Sequence, residues 1–280
     1  MRRGALDPLG KAAGKSFGVK RFVLGIGAHK GGTSWLHSYL SRFDQVELAF
    51  KKELHVWDAR FMPASKGYQV RPKRLAKFRK TDWLRFAMQR SDRFYEAYFR
   101  RKFDQGAQIT GEITPAYCGL PTDALVHIRQ RILNIGAQPR VVFLMRDPFE
   151  RCWSAVRYDK RRGKLDAGLS DEETLLRHYQ SPAFQMRTRY ETVCPRVLQA
   201  FGPGEVYFGL YETLFDEPSL EAIGRFLGLP VDKSNLTDRV NASPKGQSVS
   251  PRIRDEVRSF YSETYAYCAE HFPQTRALWQ

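Results

Sequence analysis

Short apolar runs alternate along the chain with longer stretches in which apolar residues recur at helical spacing. The apolar runs at residues 21–27, 139–148 and 206–211 predict strands buried in a parallel sheet, and residues 107–112 predict a further short strand. The helical stretches lie at residues 33–42, 81–103 and 121–134 and after Pro251. Because strands and helices alternate, the pattern predicts an α/β fold with a central parallel sheet flanked by helices.

Composition is ordinary for a globular protein, with one exception. Of the 280 residues, 42% are hydrophobic and 27% are charged, which excludes a wholly disordered or fibrous chain. No apolar run approaches the roughly 20 residues of a membrane-spanning helix. We therefore expect a flexible basic segment at 1–19 and a single domain at 20–280. The exception is the net charge of +16, which favours polyanionic partners.

Two stretches carry much of the positive charge, at residues 59–80 and 157–190. Each fits a solvated helix face or loop, and each equally fits the lining of an entrance for an anionic substrate. The four cysteines match neither zinc-site nor disulfide-framework spacing, so we expect reduced, structural thiols. The basic N-terminus has no apolar stretch of the kind found in secretory signals.

A glycine-rich turn follows the first predicted strand, in the sequence G-I-G-A-H-K-G-G-T-S-W from residue 25. A strand that runs through such a turn into a helix surrounds one point with backbone N–H groups, which suits an anion. Gly31 and Gly32 allow close approach, Lys30 adds a charge, and Thr33 and Ser34 add donors. The lysine precedes the position that the nucleotide P-loop requires, so this is another kind of phosphate loop or a tight structural turn.

A second motif, R-D-P-F-E-R-C-W-S, begins at Arg146 after the strongest internal strand. Pro148 ends that strand, so Arg146 lies at the carboxyl edge of the sheet and Ser154 lies in the following helix. Ligands of open α/β sheets bind at this edge, and both side chains could reach a second phosphate near the first. An ordinary strand-to-helix turn with surface charges is the alternative.

Together these motifs resemble those of sulfotransferases that use 3′-phosphoadenosine 5′-phosphosulfate (PAPS). A-H-K-G-G-T-S-W resembles the family's 5′-phosphosulfate loop and R-D-P-F-E-R-C-W-S its 3′-phosphate motif. N-A-S-P-K-G, from residue 241, resembles the family's closing loop, which implies 3′-phosphate contacts for Lys245 and Gly246. By the same resemblance Trp35 lies near the adenine, with plain core packing as the alternative. The resemblance implies the P-loop-like sulfotransferase fold.

On the acceptor side, K-K-E-L-H-V-W-D from residue 51 resembles the K-E-x-H-F-F-D segment of the heparan sulfate glucosaminyl sulfotransferases. The resemblance implies that Glu53 is the catalytic base, supported by His55 and Asp58. On a loop or strand, residues 53 and 55 would point to the same side. A positioned base is required because an acceptor hydroxyl is a poor nucleophile.

A further segment, G-E-I-T-P-A-Y from residue 111, resembles the E-K-[ST]-P-x-Y segment of the same branch. It departs from the branch at Ile113, where a lysine stands near the reaction centre. Lys52, Lys30 or another basic residue could fill that role, or the acceptor could bind differently. His29 could touch substrate or donor, although a lone histidine is more often structural.

The resemblance predicts a PAPS-dependent sulfotransferase acting on a hydroxyl or amine, most simply of a carbohydrate or glycolipid. Lys30 would meet the charge on the departing phosphate, 3′-phosphoadenosine 5′-phosphate (PAP) would be the product, and no metal would be required. Without the anchor of typical Golgi members, the chain fits a soluble, cytoplasmic, bacterial enzyme, or a Golgi-luminal enzyme lacking its anchor. The alternatives are an ATP-dependent small-molecule kinase, with Asp147 as the candidate Mg²⁺ ligand, and a basic nucleic-acid-binding protein. No helix-turn-helix, zinc-finger or RNA-binding signature supports a nucleic-acid partner.

Overall fold

The structure is a computed structural model that describes residues 18–232 and 249–280. The predicted flexible segment 1–19 lies outside the described residues, apart from its last two positions. The predicted closing loop, with Lys245 and Gly246, also lies outside them.

A parallel sheet of five strands forms the centre of the described structure, in the order β2-β3-β1-β4-β5. The strands are β1 (Arg21–Gly27), β2 (Val46–Leu48), β3 (Ile109–Ile113), β4 (Gln138–Met145) and β5 (Val206–Leu210). The predicted parallel α/β architecture is therefore confirmed. β2 was not predicted, because three residues with one buried position give no apolar run.

Helices pack around the sheet and supply the connections between its strands. They are α1 (Thr33–Leu40), α2 (Trp57–Phe61), α3 (Pro72–Leu75), α4 (Lys80–Met88), α5 (Asp92–Asp104), α6 (Thr122–Asn134), α7 (Pro148–Arg161), α8 (Asp171–His178), α9 (Pro182–Gln185), α10 (Tyr190–Phe201), α11 (Glu217–Leu227), α12 (Pro251–Phe260), α13 (Ser262–His271) and α14 (Thr275–Leu278). Short 3₁₀ turns span Pro63–Tyr68, Pro115–Gly119, Pro203–Glu205 and Tyr211–Thr213. None of the helices in the described ranges is both long and apolar enough to cross a bilayer.

The predicted helix at 81–103 is two helices. Ser91 interrupts it, because its hydroxyl accepts a hydrogen bond from the Phe94 backbone N–H and caps the start of α5. The basic stretch at 59–80 holds the end of α2, a 3₁₀ turn and α3, and the stretch at 157–190 holds the end of α7 with α8 and α9. Both stretches are therefore mainly short helices joined by turns.

Both faces of the sheet are buried, as the apolar runs predicted. Phe22 and Leu24 of β1 lie in the cluster on one face, while Val23 between them lies in the cluster on the other. A third cluster forms where α7 meets α8 and α12. The four cysteines are buried and unpaired, as the sequence predicted.

The strand order determines where a ligand can bind. From β1 the chain first builds β2 and β3 on one side, and it then passes to β4 on the other side of β1. The carboxyl ends of β1 and β4 therefore flank the point at which the connections diverge, which is where open α/β sheets bind ligands.

Candidate active site at the edge of the sheet

The glycine-rich turn after β1 rests directly on β4. The Ala28 N–H donates to the Leu144 carbonyl oxygen at 2.7 Å. A Cβ at Gly31 would stand 2.3 Å from that same oxygen, so a side chain there would push the turn off the sheet. Gly32 has φ +97°, a left-handed backbone that favours glycine, and it leads into α1. These two glycines fix the turn against β4.

The turn presents positive charge and unpaired donors. No side chain among the described residues caps the N-terminus of α1, where Thr33 and Ser34 stand. The Lys30 ammonium lies 4.3 Å from the ring centre of Tyr158 and forms no ion pair with a described residue. Burial, followed by the positive charge of Arg146, lowers the pKa of Lys30 to about 8. The lysine therefore lies in a cluster where the positive charges of Arg146, Arg161 and Lys52 oppose its protonation, while Asp159 favours it.

Arg146 follows β4 and reaches the first motif. Its Nη1 donates to the Lys30 backbone carbonyl at 3.4 Å, and its Nη2 lies 3.2 Å from Glu150 Oε2. The guanidinium also lies 4.5 Å from the ring centre of Tyr211. Its side chain remains 17% exposed, which leaves part of it accessible to a ligand. The two motifs, more than a hundred positions apart in sequence, are thus in contact.

The start of α7 is held by Asp147. Its carboxylate accepts from the Glu150 N–H at 2.9 Å and from the Tyr265 hydroxyl at 3.0 Å, and it pairs with Arg258 at 3.4 Å. A carboxylate engaged in this way is a helix cap rather than a free Mg²⁺ ligand. Ser154 lies further along α7 and is 6% exposed. In the described part of the chain, no group of three His, Cys, Asp or Glu side chains is placed to hold a metal.

Glu53, His55 and Asp58 form one contiguous group. His55 Nδ1 lies 2.7 Å from Asp58 Oδ2, and His55 Nε2 lies 3.6 Å from Glu53 Oε2. Lys52 Nζ donates to Glu53 Oε1 at 2.9 Å. Asp58 is fully buried and its Oδ1 has no hydrogen-bond partner. Glu53, with its side chain 39% exposed, is the more accessible of the two carboxylates in the group.

The charges in this group support one another. Burial opposes ionisation of Glu53, but hydrogen bonds from His55 and Lys52 outweigh it and hold the pKa of the carboxyl well below its usual range. Burial likewise opposes a charged His55, but its hydrogen bonds to Asp58 and Glu53 raise the pKa of the imidazole. The result is an ionised Glu53 beside an imidazole that favours its protonated form.

The backbone that carries this group is not a strand. Glu53 and His55 have φ values of +64° and +52°, so a left-handed turn, and not strand alternation, brings their side chains together. The Glu53 N–H donates to the Ile113 carbonyl oxygen at the end of β3, at 3.0 Å. Because β3 pairs with β1, the Glu53 group lies beside the strand that leads to Lys30.

A buried carboxyl, Glu112, braces the same turn from below. It accepts hydrogen bonds from the hydroxyls of Thr114 at 3.1 Å and Tyr117 at 2.9 Å. Those oxygens in turn accept from the backbone N–H groups of Leu54 and Val56, each at 3.1 Å. The G-E-I-T-P-A-Y segment therefore positions the residues on either side of His55 and does not itself line the site. Burial raises the pKa of Glu112 to about 7.

Ile113 stands where the heparan branch has a lysine, and it packs into the core with 1% exposure. Its side chain fills the space above Gly25, where a Cβ would lie 2.8 Å from it. The positive charge near Glu53 comes instead from Lys52. This contact identifies Lys52 as the basic residue closest to the Glu53 carboxylate.

His29 and two arginines form a feature that the sequence did not specify. The His29 ring meets Tyr158 edge-on with centres 5.6 Å apart, and its Nδ1 is buried without a partner. Burial, then the charges of Arg187 and Arg151, lower its pKa well below the usual value. Arg151 is fully buried beside the Cys152 sulfur at 3.0 Å. In the sequence, the one indication of this feature was Arg151, the second arginine of the R-D-P-F-E-R motif.

Trp35 is packed among other aromatic rings. Its ring is 3% exposed, stacks on Tyr39 at 4.9 Å and meets Phe215 edge-on at 5.6 Å. It belongs to the core cluster beneath α1. Protein atoms therefore cover the ring as the packing alternative expects, and a contact of Trp35 with the adenine stays a prediction.

Comparisons with known proteins agree with this geometry. Residues 23–233 match the family model described as the sulfotransferase family. A sulfotransferase from Alicyclobacillus acidocaldarius superposes with a TM-score of 0.59 at 21% identity, over 90% of this chain and 95% of that one. Mouse sulfotransferase SULT7A1, solved in complex with PAP, superposes with a TM-score of 0.51 at 13% identity, over 93% of this chain and 87% of that one.

At these identities the two structures show a shared fold. No curated protein matches the chain by sequence. The family match spans both the turn that holds Lys30 and the start of α7, and the fold agrees with it. The chain therefore belongs to the sulfotransferase family.

Proposed function

We propose that the protein transfers a sulfuryl group from PAPS to a hydroxyl or amine of an acceptor, with Glu53 as base. The observation that carries the proposal is the contact between Arg146 and the Lys30 turn, beside the Glu53 group at the end of β3. The turn that carries Lys30 and the start of α7 after Arg146 are the two proposed anion-binding elements, and the Glu53 group is the proposed acid–base element. All three lie at the same edge of the sheet.

The donor side fits a nucleotide that carries two anionic ends. The uncapped start of α1 offers donors for a 5′-phosphosulfate through Gly32, Thr33 and Ser34, and Gly31, whose N–H donates to the Ala28 carbonyl oxygen, would allow close approach. Arg146 and Ser154 would hold the 3′-phosphate, joined by Lys245 and Gly246, which remain predictions from sequence. Lys30 lies near the positive charges of Arg146, Arg161 and Lys52, with Asp159 as an opposing negative charge, and a bisphosphate would add favourable negative charge there. The SULT7A1 structure, which holds PAP, supports the same class of donor.

Bound PAPS would supply the sulfuryl group. Within this chain, Lys30 would stabilise negative charge that develops on the departing phosphate, together with the backbone N–H groups of the turn. A mobile ammonium beside fixed donors is suited to this task, because the turn is held against β4 before any ligand arrives. Arg146 would bind and orient the nucleotide at a distance from the reacting atoms.

On the acceptor side, Glu53 would take the proton from the attacking hydroxyl or amine at its exposed carboxylate. Its lowered pKa keeps the group ionised at neutral pH, which is the state a base requires. His55 would hold Glu53 in place, and Asp58 would fix the orientation of His55 through the 2.7 Å contact. Lys52 would supply the positive charge that Ile113 cannot.

A carbohydrate or glycolipid is the acceptor class that we propose. The support is the resemblance of the segments around Glu53 and Glu112 to the heparan sulfate branch, together with the cationic residues near the Glu53 group. A kinase is less well supported, because the Asp147 carboxylate is committed to capping α7 and pairing with Arg258.

Ligand-dependent thermal stability tests the proposal. We expect micromolar PAP to raise the melting temperature and ATP with Mg²⁺ at the same concentration to leave it nearly unchanged. Equal stabilisation by both nucleotides would favour the kinase. A screen of hydroxyl- and amine-bearing glycans and glycolipids with labelled PAPS would then identify the acceptor.

A further inference from the structure

A basic surface with exposed aromatic rings follows the Glu53 group in the chain. Between Asp58 and Asp82 the sequence contains no acidic residue. We call one set of exposed residues from this stretch and the start of α4 the basic tip: Lys66, Arg71, Lys73, Arg74, Lys77, Phe78, Arg79, Lys80 and Trp83. Asp82, the acid nearest to these residues in sequence, is buried and pairs with Arg74 at 3.0 Å. The tip therefore presents positive charge with almost no acidic compensation.

Two large apolar side chains stand within this charge. Phe78 is 85% exposed, the highest value among the exposed large hydrophobic residues, and Trp83 in the first turn of α4 is 47% exposed. Phe78 also has φ +49°, which is unfavourable for a residue with a Cβ. A strained backbone that places an aromatic ring in water is uncommon, and it suggests a role outside the folded chain.

We propose that the basic tip docks the protein onto an anionic lipid bilayer. Lysines and arginines near such a surface gain attraction from the negative headgroups, and aromatic rings among them enter the interface between headgroups and acyl chains. A bilayer fits these residues better than a soluble polyanion, because a polyanion would use the cations but offers Phe78 no apolar environment.

Residues that flank the tip in sequence contact the acid–base group. The Tyr68 ring stacks on the His55 ring, with centres 3.7 Å apart and planes 8° apart. Gln89 at the end of α4 donates to the carbonyl oxygens of His55 at 2.7 Å and Tyr68 at 3.1 Å. Docking would therefore bring the Glu53 group close to the bilayer surface. If Glu53 is the base of the proposed function, its acceptor would then be a membrane-borne molecule. The docking itself does not depend on the proposed function.

Vesicle co-sedimentation tests the docking without any activity measurement. We expect the wild-type chain to sediment with vesicles of phosphatidylcholine containing about one third phosphatidylglycerol, and not with phosphatidylcholine alone. Binding should weaken as salt is added, because the Debye length falls. A chain that stays in the supernatant with anionic vesicles would overturn the proposal.

Two variants separate the charges from the ring. Phe78→Asn suits the left-handed backbone, so it should preserve folding and lower vesicle affinity about tenfold. Lys73→Glu with Lys77→Glu should abolish binding, whereas Arg225→Glu with Arg276→Glu, exposed on α11 and α14, should leave it nearly unchanged. Unchanged binding by Phe78→Asn, or equal losses in the two charge-reversal pairs, would contradict membrane docking.

Binding to heparin tests the alternative that the basic tip binds a soluble polyanion. If heparin binds the wild-type chain and Phe78→Asn equally, while anionic vesicles do not bind, the tip serves a soluble polyanion and the membrane proposal is wrong. Thermal stabilisation by PAP, measured on the same variants, should persist in every outcome, because the tip lies outside the donor site. Failure of the docking is thereby distinguished from failure of the proposed function.

Discussion

The guanidinium of Arg146 donates to the backbone carbonyl of Lys30 across 3.4 Å, which joins the end of β4 to the turn after β1. The two residues are 116 positions apart in the sequence, so the contact is not a local one. Their contact arises because β1 and β4 are adjacent parallel strands whose carboxyl ends meet at one edge. If one nucleotide spans the two motifs, substitutions at these two residues should separate its binding from the reaction.

Replacing Lys30 by alanine removes the charge that we propose to lie at the reacting end of the donor. We expect turnover to fall by at least a hundredfold, since one preorganised electrostatic contact contributes about 3 kcal/mol to the transition state. PAP binding should weaken by a smaller factor, measured by calorimetry. A Lys30→Ala enzyme with a turnover rate close to the wild-type value would show that the lysine has no catalytic role.

The affinity for PAP should depend on pH through Lys30. Because its pKa is lowered to about 8, the residue is charged below that pH and neutral above it, and a bisphosphate binds the charged form better. Affinity should therefore decline as the pH rises above about 8. Lys30→Arg retains its charge and should lack this decline. If PAP affinity declines equally in Lys30→Arg, the decline comes from the titration of another group.

Glu53→Gln should leave PAP binding intact and reduce turnover by at least a hundredfold, because it removes the base without touching the donor side. His29→Asn is the matched comparison, since His29 is also near Lys30 and its lowered pKa leaves it neutral at pH 7. A near-normal rate in Glu53→Gln, together with a large loss in His29→Asn, would transfer the role of base to the histidine.

The buried Glu112 predicts a stability effect. Its folded pKa of about 7 exceeds the ordinary value of 4.5, so folding favours the protonated carboxyl. That contribution is fully present below about pH 4.5 and is lost as the pH rises through about 7, a change of about 3 kcal/mol at most. Relative to wild type, Glu112→Gln should lack this part of the pH dependence of the unfolding free energy in urea. If the unfolding free energies of wild type and Glu112→Gln change in parallel with pH, Glu112 does not make this contribution.

The sequence predicted the features that arise from long apolar runs and the motifs beside them. β1, β4 and β5 and the turns that carry Lys30 and Arg146 agree with the structure because buried parallel strands need unbroken apolar residues. The three-residue β2 gives no such signal. The sequence also placed Glu53 near His55 on a loop or strand; the structure shows a loop, whose left-handed backbone at both residues the sequence did not predict.

Other features depend on long-range packing that one sequence does not display. The burial of Trp35 depends on Phe215, which follows β5, and the proximity of Arg187 to His29 depends on how α9 is positioned. The stacking of Tyr68 on His55, which joins the basic stretch at 59–80 to the acid–base group, also depends on such packing. Such contacts join segments that have no periodic relation to each other.

Binding of PAP and of adenosine 5′-phosphate, which lacks the 3′-phosphate, tests most directly whether the two motifs hold one nucleotide. Isothermal titration of the wild-type chain should show PAP binding at least tenfold more tightly. Arg146→Ala should lose most of this preference, because a charge-assisted phosphate contact is worth roughly 1.5–3 kcal/mol, while Lys30→Ala should keep it. An undiminished preference for PAP in Arg146→Ala would contradict the shared site.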